Sequence, residues 1–271
     1  MFEPSALEAS LDGSIFAGNL HFSPVTGSTN TDAMNAARSG APHGSVFYAD
    51  EQSAGRGRGD HGWLSTSGEG LYVSVLLRPR FPAAHLPLLP LVAGLAASEA
   101  VAVASGLVAD LRWPNDLLLG ARKVGGILVE AKTEFAGEQS QIAYAVVGVG
   151  INVHQRSFGS DLATAATSLD LESERRISRQ ALLCALLKSL ERETVGLLDP
   201  AFAEEIPRRL NNTSTWMCGR AVEVHGPQAC TGITDGLDRN GFLRVLTDAG
   251  VVIVQTGGIR AVSSTESEPK G

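Results

Sequence analysis

The runs KVGGILVEAKTEF (123–135) and SQIAYAVVGVGINV (140–153), separated by AGEQ (136–139), decide the fold. Both are rich in apolar and β-branched residues, and the small and polar residues between them read as a hairpin connection joining two buried strands. Outward from this hairpin, LVADLRW (107–113) reads as a strand ending at the turn WPND, and LYVSVLLRP (71–79) and SVFYADEQ (45–52) read as two more. Leu20 to Val25 is a brief strand that Pro24 marks as an edge, since proline has no N–H for a second neighbour. Helices fall between these runs. A short one is expected at the N-terminus, and GSTNTDAMNAARSG (27–40) offers Ser28 or Thr29 as N-cap, Asp32 three residues after Thr29, and Gly40 as a stop. Pro87 to Ser105 is a strongly apolar core helix, Ser178 to Leu198 has apolar residues at helical spacing, and Pro200 to Leu210 adds a further helix. The pattern predicts an α+β fold: a mixed or antiparallel sheet with helices packed on one face.

From Trp216 the chain changes to short strands with turn signals, MCGRAVEVHG, ACTGITDGLDRNG, FLRVLTDAG and VVIVQTGGI. A β unit of about 50 residues is marginal alone and leans on a neighbour. Because two helices intervene, a separate unit is expected rather than extra strands of the first sheet. The end, SSTESEPKG, is polar and expected to be disordered.

The 271 residues carry 22 Lys plus Arg against 29 Asp plus Glu, a net charge of −7 that argues against general nucleic-acid binding. Three cysteines without a CxxC pair fit a reducing cytoplasm, and the acidic N-terminus does not read as a signal peptide. The most membrane-like run, Leu86 to Asp110, is interrupted by Pro87, Pro90, Ser98, Glu99 and Ser105, which favours a core helix over a membrane span. The six histidines show no ligand-like pairing, so a structural zinc is not expected. GARKVGG lacks the ending of a Walker A loop, GVGINV lacks the third glycine of a dinucleotide fingerprint, and no GxSxG occurs.

The residues with chemical character lie in two places. GRGRGDHGW (55–63) has four glycines in nine residues, a composition for a tight loop, and two arginines whose planar forks match carboxylates and phosphates. A flap that is mobile when empty and closes on an anion fits this. A solvated surface loop and an RGG-like RNA segment are the alternatives, the second disfavoured by the acidic balance. In LRWPNDLLLGARK (111–123), Pro114 holds Trp113 extended, and Asn115 and Asp116 place polar groups at a strand end. WPND alone is more often just a turn, but Lys123 follows Asn115 by eight residues, with Gly125 and Gly126 leaving backbone open to a ligand.

STN (28–30), EQSAGRGRG (51–59), WPNDL (113–117), RKVGGILVE (122–130) and GVGIN (148–152) together resemble the motifs of biotin protein ligases, in that family's order and spacing. The resemblance implies a class II synthetase-like catalytic domain over 1–212, an SH3-like β-barrel over 213–264 and a tail over 265–271. It implies ATP and biotin as substrates, with Mg2+, and two steps: formation of biotinyl-adenylate, then transfer to a lysine of a biotin carboxyl carrier domain. A carboxylate approaching a polyphosphate meets repulsion of about 4 kcal/mol for unit charges ~4 Å apart at an effective dielectric of 20, so cations must offset it. By the resemblance, Arg56, Gly57 and Arg58 belong to the flap over biotin and the adenylate, and Lys123 lies against the reacting oxygens. Ser28, Thr29, Asn30 and Gln52 match positions around the ureido ring and valeryl chain, and Trp63, Asn115 and Asn152 match positions near the nucleotide. Asp116 faces either magnesium or the incoming lysine, or serves only the strand end. Many family members carry a further basic residue before the tryptophan, where this chain has Asp60 and His61. Only 27 residues precede Ser28, too few for a winged helix-turn-helix, so the expectation is a monofunctional enzyme without operator binding. A cytoplasmic monomer or weak homodimer is expected, without membrane or DNA partners. A lipoate or octanoate ligase of the same fold and a non-catalytic biotin-sensing module are the alternatives; retention of Lys123 argues against the sensor.

Overall fold

In the computed structural model, which describes residues 2–59, 61–79, 81–136, 139–160 and 162–262, the long hairpin lies at the heart of the larger sheet. The polar tail and Asp60 lie outside the described residues. The first elements are α1 (Pro4–Ser10), β1 (Leu20–Thr26), α2 (Thr29–Arg38), β2 (Val46–Gln52) and β3 (Gly70–Leu77). A 3-10 turn (Ala83–Leu88) leads into α3 (Leu89–Ser105), followed by β4 (Asp110–Arg112), β5 (Asp116–Leu119), β6 (Arg122–Ala136) and β7 (Gln139–Asn152). After α4 (Leu169–Glu172), α5 (Arg179–Gly196) and α6 (Pro200–Thr213) come β8 (Cys218–His225), β9 (Cys230–Leu237), β10 (Leu243–Thr247), β11 (Gly250–Val254) and β12 (Gly258–Ala261).

The larger sheet runs β1-β2-β3-β7-β6-β5-β4, with β1 parallel to β2 and every other pair antiparallel. β1 is an edge, as Pro24 requires. Strand β5 is an addition to the sequence reading: WPND closes a β4–β5 hairpin, so Asp116 opens a strand instead of ending the turn.

Helices cover both faces of this sheet, which corrects the expectation of one face. Leu71, Val73, Val75 and Leu77 of β3 join the core that contains α3 and α5, whereas Leu76, with Tyr144 and Val146 of β7, packs against Ala33 and Ala37 of α2. Alternate residues of a strand point to opposite faces, so an apolar residue at almost every position of β3 demands two covers.

Helix α3 is apolar nearly all round and buried accordingly. Gly94 lets it approach β4, since a Cβ there would lie 2.6 Å from Leu111 Cδ1. Glu99, the charge that argues against a membrane span, pairs with Arg192 of α5 and accepts from Ser189 at 2.8 Å. Ala83–Ser105 is long and apolar enough to cross a membrane by composition, and 56% of its most apolar window is buried inside the fold. Helix α5 starts on Ser178, whose hydroxyl accepts from the Ala181 N–H at 3.2 Å.

The C-terminal strands form their own sheet, ordered β11-β10-β9-β8-β12. Its inward residues Val222, Val224, Leu237, Leu243, Val245, Val254 and Ile259 belong to the same core as α3 and α5. Gly241, with φ +82°, brings the β9–β10 turn onto Leu88 and Leu91, where a Cβ would come within 2.8 Å of Leu91. The Trp113 indole N–H donates to the Gly241 carbonyl at 3.1 Å, so the second sheet backs directly onto the WPND turn.

Candidate active site

The first turn of α2 leaves N–H groups without helical partners, and β2 supplies one acceptor. Gln52 Oε1 accepts from the Thr29 N–H at 2.9 Å and from the Thr29 hydroxyl at 3.1 Å, while its Nε2 donates to Ser65 Oγ at 2.7 Å. Ser28 occupies the N-cap position without making a side-chain cap bond, and Asp32 accepts instead from Thr26 at 2.6 Å. The Thr29 and Ser74 hydroxyls lie 2.8 Å apart, Ser74 donates to Asn30 Oδ1 at 2.6 Å, and Asn30 Nδ2 donates to Glu130 at 2.9 Å. Ser28, Thr29 and Asn30 are each 4% exposed, so this is a buried polar network with its donors and acceptors aligned. Ser74 and Glu130 were not singled out from sequence.

The glycine-arginine loop folds back as a narrow flap. Trp63 N–H donates to the Gly55 carbonyl at 2.8 Å and Gly57 N–H to the His61 carbonyl at 2.7 Å. Gly55 is required there, because a Cβ would lie 2.3 Å from the Trp63 carbonyl oxygen. Arg56 pairs with Glu130, the same carboxylate that holds Asn30. Arg58 donates to Asn115 Oδ1 at 3.2 Å and to the Gly257 carbonyl at 2.7 Å, so the flap touches both the WPND turn and the C-terminal sheet. Burial pulls the Arg58 guanidinium below its ordinary value, with the charge of Asp116 acting in the opposite sense. His61 is exposed and its Nδ1 lies 3.0 Å from the Arg58 carbonyl oxygen.

On the far wall, Lys123 Nζ lies 2.5 Å from Asp116 Oδ1 and 5.5 Å from the centre of the Trp63 ring. Arg112 Nη2 holds the other carboxylate oxygen at 2.6 Å. Burial would raise the Asp116 carboxyl, but the charges and hydrogen bonds of Lys123 and Arg112 outweigh it and hold it below the ordinary aspartate range. Asn115 is fixed to β6 by donation to the Ile127 carbonyl at 2.8 Å. The indole of Trp63 rests on β7 and β6, where a Cβ on Gly150 would lie 2.6 Å from Nε1 and one on Gly126 3.3 Å from the ring. Asn152, 6% exposed, donates to the Thr167 carbonyl at 3.0 Å.

One cavity of about 560 Å3 brings the sequence-predicted site residues together. Ser28, Thr29, Asn30, Gln52, Arg56, Gly57, Arg58, Trp63, Asn115, Asp116, Lys123 and Asn152 share its wall. From the segment after Arg156, Phe158, Gly159, Leu162, Ala163, Thr164 and Ala166 line the side next to Lys123, whose N–H donates to the Ala165 carbonyl at 2.8 Å. Nothing in the sequence reading anticipated that segment, which has neither helical nor strand periodicity. Among the described residues no group of three His, Cys, Asp or Glu side chains is placed to hold a metal ion. Lys123 and Arg112 each hold one oxygen of Asp116, which fixes this carboxylate at the end of the cavity. A compartment of this size with a buried polar end, cations along its length and a tryptophan face suits a small polar ring attached to an anionic chain beside an aromatic base.

Comparisons with known proteins agree with this chemistry. The profile of the biotin/lipoate A/B protein ligase family matches residues 22–152. A biotin acetyl-CoA-carboxylase ligase from Mycobacterium tuberculosis is 32% identical over 241 residues, covering 86% of this chain and 85% of that protein. The bifunctional ligase/repressor BirA of Bacillus subtilis is 34% identical over 190 residues; the match takes in 69% of this chain but 57% of that longer relative. Among solved structures, the biotin protein ligase from Aquifex aeolicus in complex with biotin and ATP has a TM-score of 0.76 at 30% identity, over 90% of this chain and 100% of that one. The chain belongs to the biotin/lipoate A/B protein ligase family and groups with its biotin protein ligases.

Proposed function

We propose that this chain activates biotin with ATP and transfers it to a lysine of a biotin carboxyl carrier domain. In the first step a biotin carboxylate oxygen attacks the α-phosphorus, a P–O bond forms, and pyrophosphate leaves. In the second, the neutral amine of the carrier lysine attacks the acyl carbon, an amide forms, AMP leaves, and the amine proton is released. The observation that carries this reading is the cavity that joins the Asn30 network, the Arg56–Arg58 flap and the Lys123–Asp116 pair on one wall.

Each group has a role that follows from its place. The Ser28, Thr29, Asn30 and Gln52 cluster satisfies the ureido ring, where an unpaired buried polar group costs about 1–3 kcal/mol and so sets selectivity. Arg56 and Arg58 close over the acyl phosphate and keep it from water. The Lys123 ammonium stabilises charge developing on the reacting oxygens. Trp63 gives a face for the adenine, and Asn115 and Asn152 border the nucleotide. Magnesium would accompany the triphosphate and offset its charge, and Asp116, beside Lys123, is the carboxylate of the chain that would lie near it. On this reading residues 1–212 are the catalytic part and 213–264 an SH3-like unit that reaches the flap through Gly257.

Mixing the chain with ATP, magnesium, a carrier domain and either biotin or lipoate, then weighing the carrier, tests the reading. A biotin-sized gain is expected. A lipoate-sized gain would reassign the substrate, and no gain with either would leave a non-catalytic binding module.

A further inference from the structure

Arg112 closes β4 at the floor of the cavity, and the ligase chemistry above gives it no part. It is 7% exposed. One guanidinium nitrogen, Nη2, donates both to Asp116 Oδ2 at 2.6 Å and to Thr164 Oγ1 at 3.0 Å. Its Cζ stands 5.3 Å from the centre of the Trp216 ring, and Arg220 stacks on the same ring at 4.6 Å. The guanidinium is thus fixed from three directions: by a carboxylate, by a hydroxyl of the segment over Lys123, and by an aromatic ring at the entry to the C-terminal sheet.

The consequence concerns Lys123. Its ammonium rests on Asp116 Oδ1 at 2.5 Å. To act on an acyl phosphate it must turn toward the phosphate and carboxylate oxygens, which takes it away from a carboxylate only 17% exposed. A buried carboxylate stripped of its partner is strongly disfavoured, so Asp116 alone would hold Lys123 back. The charged groups that face Asp116 are Arg112 and Lys123 from its own sheet and Arg58 from the flap. Arg112 is the one among these that does not itself have to meet the substrate.

We infer that Arg112 is a positioning residue for Lys123: it keeps Asp116 fixed and paired through Oδ2, so that Oδ1 aims the ammonium into the cavity and can then release it. This rests on the ligase reading. It also gives the C-terminal sheet a part in the chemistry, through Trp216, without a contact to substrate.

The test uses the full chain with Arg112→Met and Arg112→Gln, each checked for folding by its melting curve. Pre-steady-state pyrophosphate release at saturating ATP is expected to slow by about 10- to 100-fold, the scale of a mispositioned catalytic group, with KM for biotin unchanged within about twofold. In parallel, the 13C-carboxyl titration of Asp116 is expected to move to higher pH, because one of the cations holding it ionised is gone. A folded variant with a wild-type rate, or one whose loss lies wholly in KM for biotin, overturns the proposal. If the unaltered chain forms no adenylate, the ligase reading fails instead, and the titration still decides: an unmoved Asp116 midpoint overturns the role of Arg112. If Arg112→Met does not fold, Arg112→Gln carries both measurements alone.

Discussion

Gly148→Ala isolates the polar end of the cavity with one methyl group. Gly148 lies on β7 opposite α2, and a Cβ there would stand 2.1 Å from Asn30 Oδ1 and 2.9 Å from its Cγ. An ordinary contact begins near 3.4 Å, so Asn30 must retreat by more than 1 Å. Its two bonds, from Ser74 at 2.6 Å and to Glu130 at 2.9 Å, do not survive such a shift, and at 4% exposure water does not replace them. Leaving a buried polar group unpaired costs about 1–3 kcal/mol. If Asn30 meets the ureido ring, that cost appears as biotin affinity weakened by about 5- to 150-fold, a tenfold change being 1.4 kcal/mol. Isothermal titration of biotin without ATP reads it directly. Gly27→Ala is the control, because no atom lies within 4 Å of the added Cβ. Unchanged affinity in a folded Gly148→Ala, or the same loss in Gly27→Ala, would refute the reasoning.

Three further outcomes follow from the same geometry. Lys123→Ala is expected to fold and to slow pyrophosphate release by about 100- to 1000-fold, the usual effect of removing one group that stabilises developing charge; normal release would remove Lys123 from the mechanism. Tryptic cleavage after Arg56 or Arg58 is expected to slow when biotin plus ATP is added, since ordering each flap residue costs roughly 1–2 kcal/mol that ligand must offset; equal rates with and without ligand would count against a closing flap. The Asp116 carboxyl is depressed in the folded chain, so its stabilisation is present above the unfolded value of about 3.9 and lost as pH falls through the folded one. Urea melts at pH 5 and pH 3 are therefore expected to show the stability gap between the unaltered chain and Asp116→Asn narrowing at the lower pH, and a gap that stays constant would exclude the linkage.

What was legible in the sequence tracks how local the signal is. The β6–β7 hairpin, α3 and α5 announce themselves because each is long enough for its apolar pattern to outweigh propensity. The two-sided cover of the sheet is legible too: LYVSVLL has no polar alternation except Ser74, the pattern of a strand buried on both faces. That lone serine was also the available clue to the Asn30 network, since a hydroxyl inside such a run must find buried partners. Strand β5 escaped because four residues after a turn carry too little periodicity, and 158–166 escaped because it has none at all. The site itself became visible through ordered motifs rather than through spacing. Their distant partners were hidden for a physical reason: Glu130 meets Asn30 across 100 positions of chain, and Gly257 accepts from Arg58 across 199. No local pattern reports such pairs, because the energy that favours Glu130 within β6 or Arg58 in the flap is that of a distant partner, and only the folded arrangement of the sheets names which partner that is.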